Sequence, residues 1–287
     1  MCIRDRAKGH KIVWIASCPK SGNTWVRLFL AAYLANTDEL DPNEALKGTF
    51  NDAQRPVFDK LLKLDSKELE DDVVASLRLP YLSKLAESGD KDVIIKTHVL
   101  NANWHNAAMI PPSVTRRALY IIRHPFDVCV SFARHMGLSF DDAVTSMANP
   151  SFAIGSDLQI KQPLHTWSTH ASSWLGASGF ERMTIRYEDM SLRPYQTFAN
   201  IINFMGMGVE NDKIDRALAS TDFDRLQAVE KEKGFLEASD KNDQGFFRSG
   251  KIGGFDGVLS KEQMARLSKD HQDMMERFGY GADGSVF

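Results

Sequence analysis

The sequence predicts an α/β protein with a doubly wound, mostly parallel sheet flanked by helices. Four short apolar runs, at residues 12–16, 93–95, 118–122 and 183–185, each end abruptly in polar residues. Helical patterns lie between them, and strand–helix alternation of this kind builds parallel sheets. The polar groups that follow the runs are Lys20, then Lys96, Thr97 and His98, then Arg123, His124 and Pro125, then Arg186, Tyr187 and Glu188. Parallel sheets bind ligands at the carboxyl ends of their strands, so all four groups fall on one edge.

Taken in order, the first run opens into Ser17-Cys-Pro-Lys-Ser-Gly-Asn-Thr-Trp25 and then an apolar helix at 25–34. Gly22 lets backbone approach a ligand closely, and the helix start offers unpaired N–H groups and a favourable dipole. With Lys20 adding a full charge, this is a phosphate or sulfate cradle, suited to an anionic nucleotide. Trp25, Leu28, Phe29 and Ala32 form one buried face of that helix. Residues 38–92 are charged and helical in pattern, an insertion between the first two strands. A helix from Pro125 runs through Val128 and Phe132 to Gly137, a C′ residue. Another starts at Ser191 and Pro194 and runs through Phe198, Ile201 and Ile202 to Met205, closed by Gly206. Trp167 and Trp174, seven apart, read as helix core. Residues 230–257 are polar and glycine-rich, too long for a simple connection, and suit a lid over the cofactor. Ser260-Lys-Glu-Gln263 is a capping box for a last helix ending near Phe278-Gly279.

Bulk properties exclude several classes. A chain of 287 residues with 43% hydrophobic and 25% charged residues is an ordinary globular one. Its net charge of −3 argues against general binding to nucleic acid or an anionic membrane, so any polyanion must be held by a few placed cations. Cys2, Cys18 and Cys129 show neither a disulfide framework nor metal spacing, which points to a reducing cytoplasm. The apolar runs fall short of the roughly 20 residues that span a bilayer, and residues 1–6 lack a signal-peptide core. The eight histidines show no metal-binding pairing, so no metal is expected.

The cradle is not a Walker A motif, because its lysine precedes the glycine and no Gly-Lys-Ser/Thr occurs. Pro-Lys-Ser-Gly-Asn-Thr-Trp instead resembles the 5′-phosphosulfate loop of the sulfotransferases that use 3′-phosphoadenosine 5′-phosphosulfate (PAPS). Further anchors follow in family order. Lys96-Thr-His98 is similar to the family's Lys-Thr-His, and Arg123-His-Pro-Phe-Asp-Val-Cys-Val-Ser131 fits its 3′-phosphate segment. Tyr187-Glu-Asp-Met resembles Tyr-Glu-Asp-Leu/Met, and Thr221-Asp-Phe223 the adenine contact Thr-Ser-Phe. Phe247-Arg248-Ser249-Gly250-Lys-Ile-Gly resembles the late Arg-Lys-Gly-x-x-Gly loop.

The resemblance, to the cytosolic-type domain in a bacterial-like form, implies a P-loop-like single domain over 7–280. It implies PAPS as co-substrate, PAP as product, and a small acceptor bearing a hydroxyl or amine. Lys20 would meet the bridging oxygen, His98 would take the acceptor's proton, and Lys96 would steady the transferring group. Ser21, Gly22, Asn23, Thr24 and Trp25 would hold the 5′ side. Arg123 and Ser131 would hold the 3′-phosphate, with Tyr187, Thr221, Phe223, Phe247, Arg248, Ser249 and Gly250 completing the nucleotide site. Trp104, Phe132, Phe140 and Phe152 would suit an apolar or aromatic acceptor, or equally a core. Ser249 stands where the family usually has lysine, for which Lys251 is a candidate substitute. His124, His135 and His271 read as structural or solvent-exposed. The family's dimer signature is not evident, so a homodimer is only one assembly compatible with the chain. A P-loop kinase or NTPase and an inactive nucleotide-binding scaffold remain as alternatives.

Overall fold

The computed structural model describes residues 11–88, 91–238 and 245–287. Cys2, the expectations for residues 1–6, the domain start at 7 and positions 239–244 of the expected lid lie outside the described residues. Strand β1 (Ile12–Ser17) is the middle of a five-stranded parallel sheet. On one side lie β2 (Phe50–Asn51), at the edge, and β3 (Val93–Thr97). Two antiparallel pairs stand apart from the sheet: β4 (Asn103–Trp104) with β5 (Ala107–Ala108), and β7 (Ala153–Ser156) with β8 (Gln159–Pro163). On the other side of β1 come β6 (Thr115–Ile122) and then β9 (Glu181–Arg186).

All six residues of β1 are buried, because a central parallel strand is covered on both faces and needs no polar alternation. Its side chains still alternate in direction. Ile12, Trp14 and Ala16 join one core cluster, and Ile15 joins the other. The four apolar runs fall within β1, β3, β6 and β9, but β3 continues through Lys96 and Thr97, so Lys96 lies in the strand and not after it. The fifth strand, β2, arises inside the expected helical insertion. It is two residues long, too short to carry a periodic signal.

Helix α1 (Asn23–Ala35) packs Phe29 on Phe198 with ring centroids 4.0 Å apart. The insertion supplies α2 (Pro42–Leu46), α3 (Arg55–Leu62), α4 (Asp71–Ser76) and α5 (Arg78–Ala86). Helix α6 (Pro125–Met136) starts on proline, is capped by the His124 ring accepting from Phe126 N at 3.2 Å, and stops at Gly137 with φ 67°. After α7 (Phe140–Met147), α8 (Trp167–Leu175) buries Trp167 and Trp174 in the Trp14 face of the core. Then α9 (Tyr187–Leu192), α10 (Pro194–Phe204) and α11 (Asn211–Ser220) follow, the last two packing on the Ile15 face. Helix α12 (Phe223–Lys233) leads into the expected lid, and α13 (Lys261–Arg277) carries the Ser260–Gln263 capping box.

The 230–257 segment holds more core than its composition suggests. Phe235 and Phe247 are buried with Leu28, Leu46 and Leu226 in a small third cluster, and Phe255 joins the Trp14 face. Glu230 on α12 accepts from the backbone N–H groups of Phe246 at 2.6 Å and Phe247 at 2.8 Å, which clasps the returning chain to the helix.

Candidate active site

The loop after β1 turns through two left-handed residues, Lys20 at φ 68° and Gly22 at φ 101°. A side chain at Gly22 would start 2.7 Å from Tyr187 Cδ2, so glycine is required for both conformation and space. Asn23 fixes the loop to the strand: its Nδ2 donates to the Ile15 carbonyl at 2.8 Å, and its Oδ1 accepts from Arg27 Nε at 2.9 Å. That side chain is therefore committed inward, and what it leaves toward the edge is backbone N–H. Ser21 Oγ is buried without a partner among the described residues. Lys20 Nζ lies 3.9 Å from the centre of the Phe246 ring. Burial, with Lys96 and Arg123 nearby, pulls its pKa down to about 8.

The end of β3 brings Lys96 and His98 to the same edge. His98 Nδ1 sits 2.8 Å from the Ser17 carbonyl. A carbonyl only accepts, so Nδ1 carries the hydrogen and Nε2 keeps its lone pair. Burial first, then the Lys96 charge, holds the His98 pKa well below its usual value, and the ring is neutral at neutral pH. Thr97 faces the other way, its Oγ1 donating at 2.8 Å to buried Asp52, which also pairs with Arg78.

One carboxylate draws the cradle cations together. Glu237, in the expected lid, accepts from Thr24 Oγ1 at 2.8 Å, from Arg27 Nη2 at 2.7 and 2.9 Å, and from Lys96 Nζ at 3.0 Å. Burial opposes its charge, but Lys96 and Arg27 outweigh burial and hold its pKa far below the usual carboxylate range. The cradle's donors thus meet an oxyanion of the protein's own.

The second half of the site lies at the ends of β6 and β9. The Arg123 guanidinium lies 4.1 Å over the Tyr187 ring, donates to the Lys251 carbonyl at 2.9 Å, and sits 3.5 Å from Asp127. Its Nε is buried without a partner among the described residues. Tyr187 OH donates to the Gly250 carbonyl at 2.5 Å, and Asp127 accepts from Gly253 N at 3.0 Å, so the late loop is pinned beside Arg123. Phe223 closes on this loop: a side chain at Gly250 would start 2.5 Å from its ring, and its ring meets Phe247 edge-on at 6.4 Å. Thr221 Oγ1 donates to the Ala217 carbonyl at 2.7 Å, at the end of α11. Unpartnered donors at Ser21, Arg123 and Arg134 are what a polyanion would satisfy, so these residues fit a nucleotide with anionic groups at both ends.

A family model for the sulfotransferase domain matches residues 10–279. This chain belongs to the sulfotransferase family. It is 23% identical over 273 residues to cytosolic sulfotransferase 16 of Arabidopsis thaliana, spanning 88% of this chain and 72% of that protein. Its fold matches a crystal structure of a mouse sulfotransferase complexed with PAP, at 17% identity and TM-score 0.59, covering 94% of this chain and 84% of that one. It also matches retinol dehydratase in a complex with retinol and PAP, at 17% identity and TM-score 0.61, over 92% and 81%. The chain is accordingly a sulfotransferase enzyme. No helix among the described residues is long and apolar enough to cross a membrane.

In this sulfotransferase a narrow apolar hollow of about 10 Å³, room for about one water, lies beside the cradle, lined by core residues that include Cys18, Val128, Phe132, Met147, Phe152 and Trp167. Phe132 and Phe152 meet edge-on at 5.9 Å, so two of the four expected acceptor residues come together. Trp104 and Phe140 do not line the hollow; they pack against the Trp14 face of the core. Burial pushes the Cys18 thiol up to about 12, which keeps it protonated. Trp25 packs edge-on to Tyr187 and Phe198 at 6.0 and 5.4 Å, supporting the cradle from behind. His124 and His271 are buried, as a structural role requires. His135 is not remote from the site: its ring faces Phe246 edge-on at 6.4 Å, and burial, then Lys20 and Lys96, lowers its pKa to about 4. Lys251 is exposed and meets Arg123 through its backbone carbonyl. Sequence reading missed Arg27, Arg134 and Glu237. Arg27 had a signal, being the lone charge in the apolar stretch 25–34, one turn after Asn23; Glu237 had none.

Proposed function

We propose that this sulfotransferase moves the sulfuryl group of PAPS to a hydroxyl or amine of a small, apolar or aromatic acceptor, with His98 as base. The observation that carries this reading is the His98 tautomer. Its Nδ1–H is held by the Ser17 carbonyl, so the lone pair on Nε2 is the one available, on a ring kept neutral beside Lys96. As the acceptor's oxygen or nitrogen bonds to sulfur, His98 Nε2 takes its proton. The bond from sulfur to the phosphate oxygen breaks, and Lys20 Nζ meets the negative charge that grows on that oxygen. Thr24, Arg27 and Lys96 hold the surrounding oxyanions, which requires Glu237 to give up its place in the cradle. Arg123, Ser131 and the pinned 248–253 loop hold the 3′-phosphate, with Tyr187, Thr221, Phe223 and Phe247 shaping the adenine side.

Replacement of His98 by alanine should lower kcat by roughly 10²–10⁴ while PAP affinity, read by isothermal titration, stays within a few-fold. Unchanged turnover in His98→Ala would remove it from the base role. Titration with ATP and Mg²⁺ serves as the control, since tighter binding of that pair than of PAP would favour a kinase-like chemistry.

A further inference from the structure

Helix α6 carries an arginine, Arg134, that the catalytic reading does not use. Arg134 lies three residues after Ser131, on the same helix face. Its Nη1 is buried and has no hydrogen-bond partner among the described residues. Arg27 and Arg78, by contrast, are each paired to a carboxylate, Glu237 and Asp52. No carboxylate pairs with Arg134 or Arg248 among the described residues, and the acid near the group, Asp127, is already engaged by Gly253 N and Arg123. Asp127, Ser131 and Arg134 fall at i, i+4 and i+7 on α6, so Arg134 shares the helix face on which Asp127 meets Arg123 and the Gly253 amide of the late loop. Ser249 Oγ lies 3.4 Å from Arg248 Nη2.

Three guanidinium groups against one carboxylate leave two positive charges, the complement of a phosphate dianion. An unpaired buried N–H is costly unless a ligand satisfies it. We propose that Arg134 is a third arginine of the 3′-phosphate site, binding that phosphate together with Arg123 and Arg248 and supplying the cation that Ser249 lacks. The inference rests on the sulfotransferase reading of the site. The competing account is local: Arg134 sits in the last turn of α6, where a cation stabilises the helix dipole whatever ligand is present.

The test is isothermal titration of the parent protein, Arg134→Gln and Arg134→Lys with two probes, PAP and adenosine 5′-phosphate, which lacks the 3′-phosphate. The expected result is a loss of tenfold or more in PAP affinity for Arg134→Gln, with adenosine 5′-phosphate affinity unchanged. Arg134→Lys should retain most of the PAP affinity. Adding Ser249→Lys to Arg134→Gln should recover PAP affinity, a rescue that a helix-dipole role would not produce. An unchanged preference for PAP in Arg134→Gln, or equal losses for both probes, would overturn the proposal. A parent protein that binds neither probe would instead overturn the sulfotransferase reading itself, and the proposal with it.

Discussion

Glu237→Gln is the substitution whose outcome follows most directly from the geometry. The carboxylate makes charge-assisted contacts with Arg27 and Lys96 and accepts from Thr24, on the groups assigned to the anionic end of PAPS. Each such contact contributes about 1.5–3 kcal/mol when intact. Once water and neighbouring groups replace part of this on opening, a net preference for the closed arrangement of the size of one contact leaves an open fraction of about 1–10%. Apparent affinity for any competing anion is then reduced by about 10–100-fold. A neutral amide keeps the shape of the side chain and removes the charge. PAP affinity should therefore rise by about tenfold or more. The ligand-free protein should melt lower, because Arg27 and Lys96 are left facing each other unpaired, and the PAP-induced rise in Tm should be larger than in the parent. Isothermal titration and thermal melts at fixed ionic strength read both effects. PAP binding that is unchanged or weaker in Glu237→Gln would refute the reasoning, since the carboxylate would then be a clasp kept in the bound state and not a competitor for the cradle.

Three further outcomes follow from the site and the core. With its pKa near 8, Lys20 loses its charge as pH rises through that value, so PAP affinity should fall above pH 8; in Lys20→Arg the fall should disappear, and an equal fall in both would exclude Lys20 as its source. His124, His170 and His271 are held neutral by burial, each with a pKa near 4. The unfolded chain takes up protons below about 6.5 where the fold does not, so their stabilising effect is present above that pH and is lost as pH falls toward 4. Urea midpoints should decline between pH 6.5 and 5, each such histidine adding a slope of up to about 1.4 kcal/mol per pH unit, and a flat profile would count against their burial as neutral rings. Gly22→Ala should lower stability by about 1–3 kcal/mol and abolish PAP binding, because the new methyl meets Tyr187 in a left-handed turn, whereas Gly208→Ala, with open space around it, should do neither.

How much of this was legible in the sequence depended on whether local chemistry decided it. The ends of β1 and β6 could be read because burial on both faces forces continuous apolar runs, and the polar residues after them mark the ligand edge; β3 runs two residues past its apolar run, through Lys96 and Thr97. The helices from Pro125 and from Ser260 announced their starts with an N1 proline and a capping box. The two-residue β2 was silent, since its place depends on pairing to Ile95 and Lys96 across an insertion. Glu237 was silent for the same reason. Nothing near it in sequence distinguishes it from the other acids of a polar segment; only the fold carries it 213 residues back to Thr24. Phe235 and Phe247 looked like loop residues because their neighbours are polar, and the partners that bury them, Leu28 and Leu46, are remote in the chain.

The wide spacing in sequence of the strands that meet at β1 has a kinetic consequence. β1 pairs with β3 and β6 and with nothing local, and the buried bond from Trp14 Nε1 to Thr115 Oγ1 spans 101 residues. High contact order of this kind slows folding, because loop closure is lost as entropy before any pairing rewards it. The indole of Trp14 enters its final surroundings only when β6 docks, so its fluorescence should report that late event. Lys20, His98 and Arg123 come from three strands joined by those same pairings, and the ability to bind an anion should emerge in refolding together with the Trp14 signal and not before it.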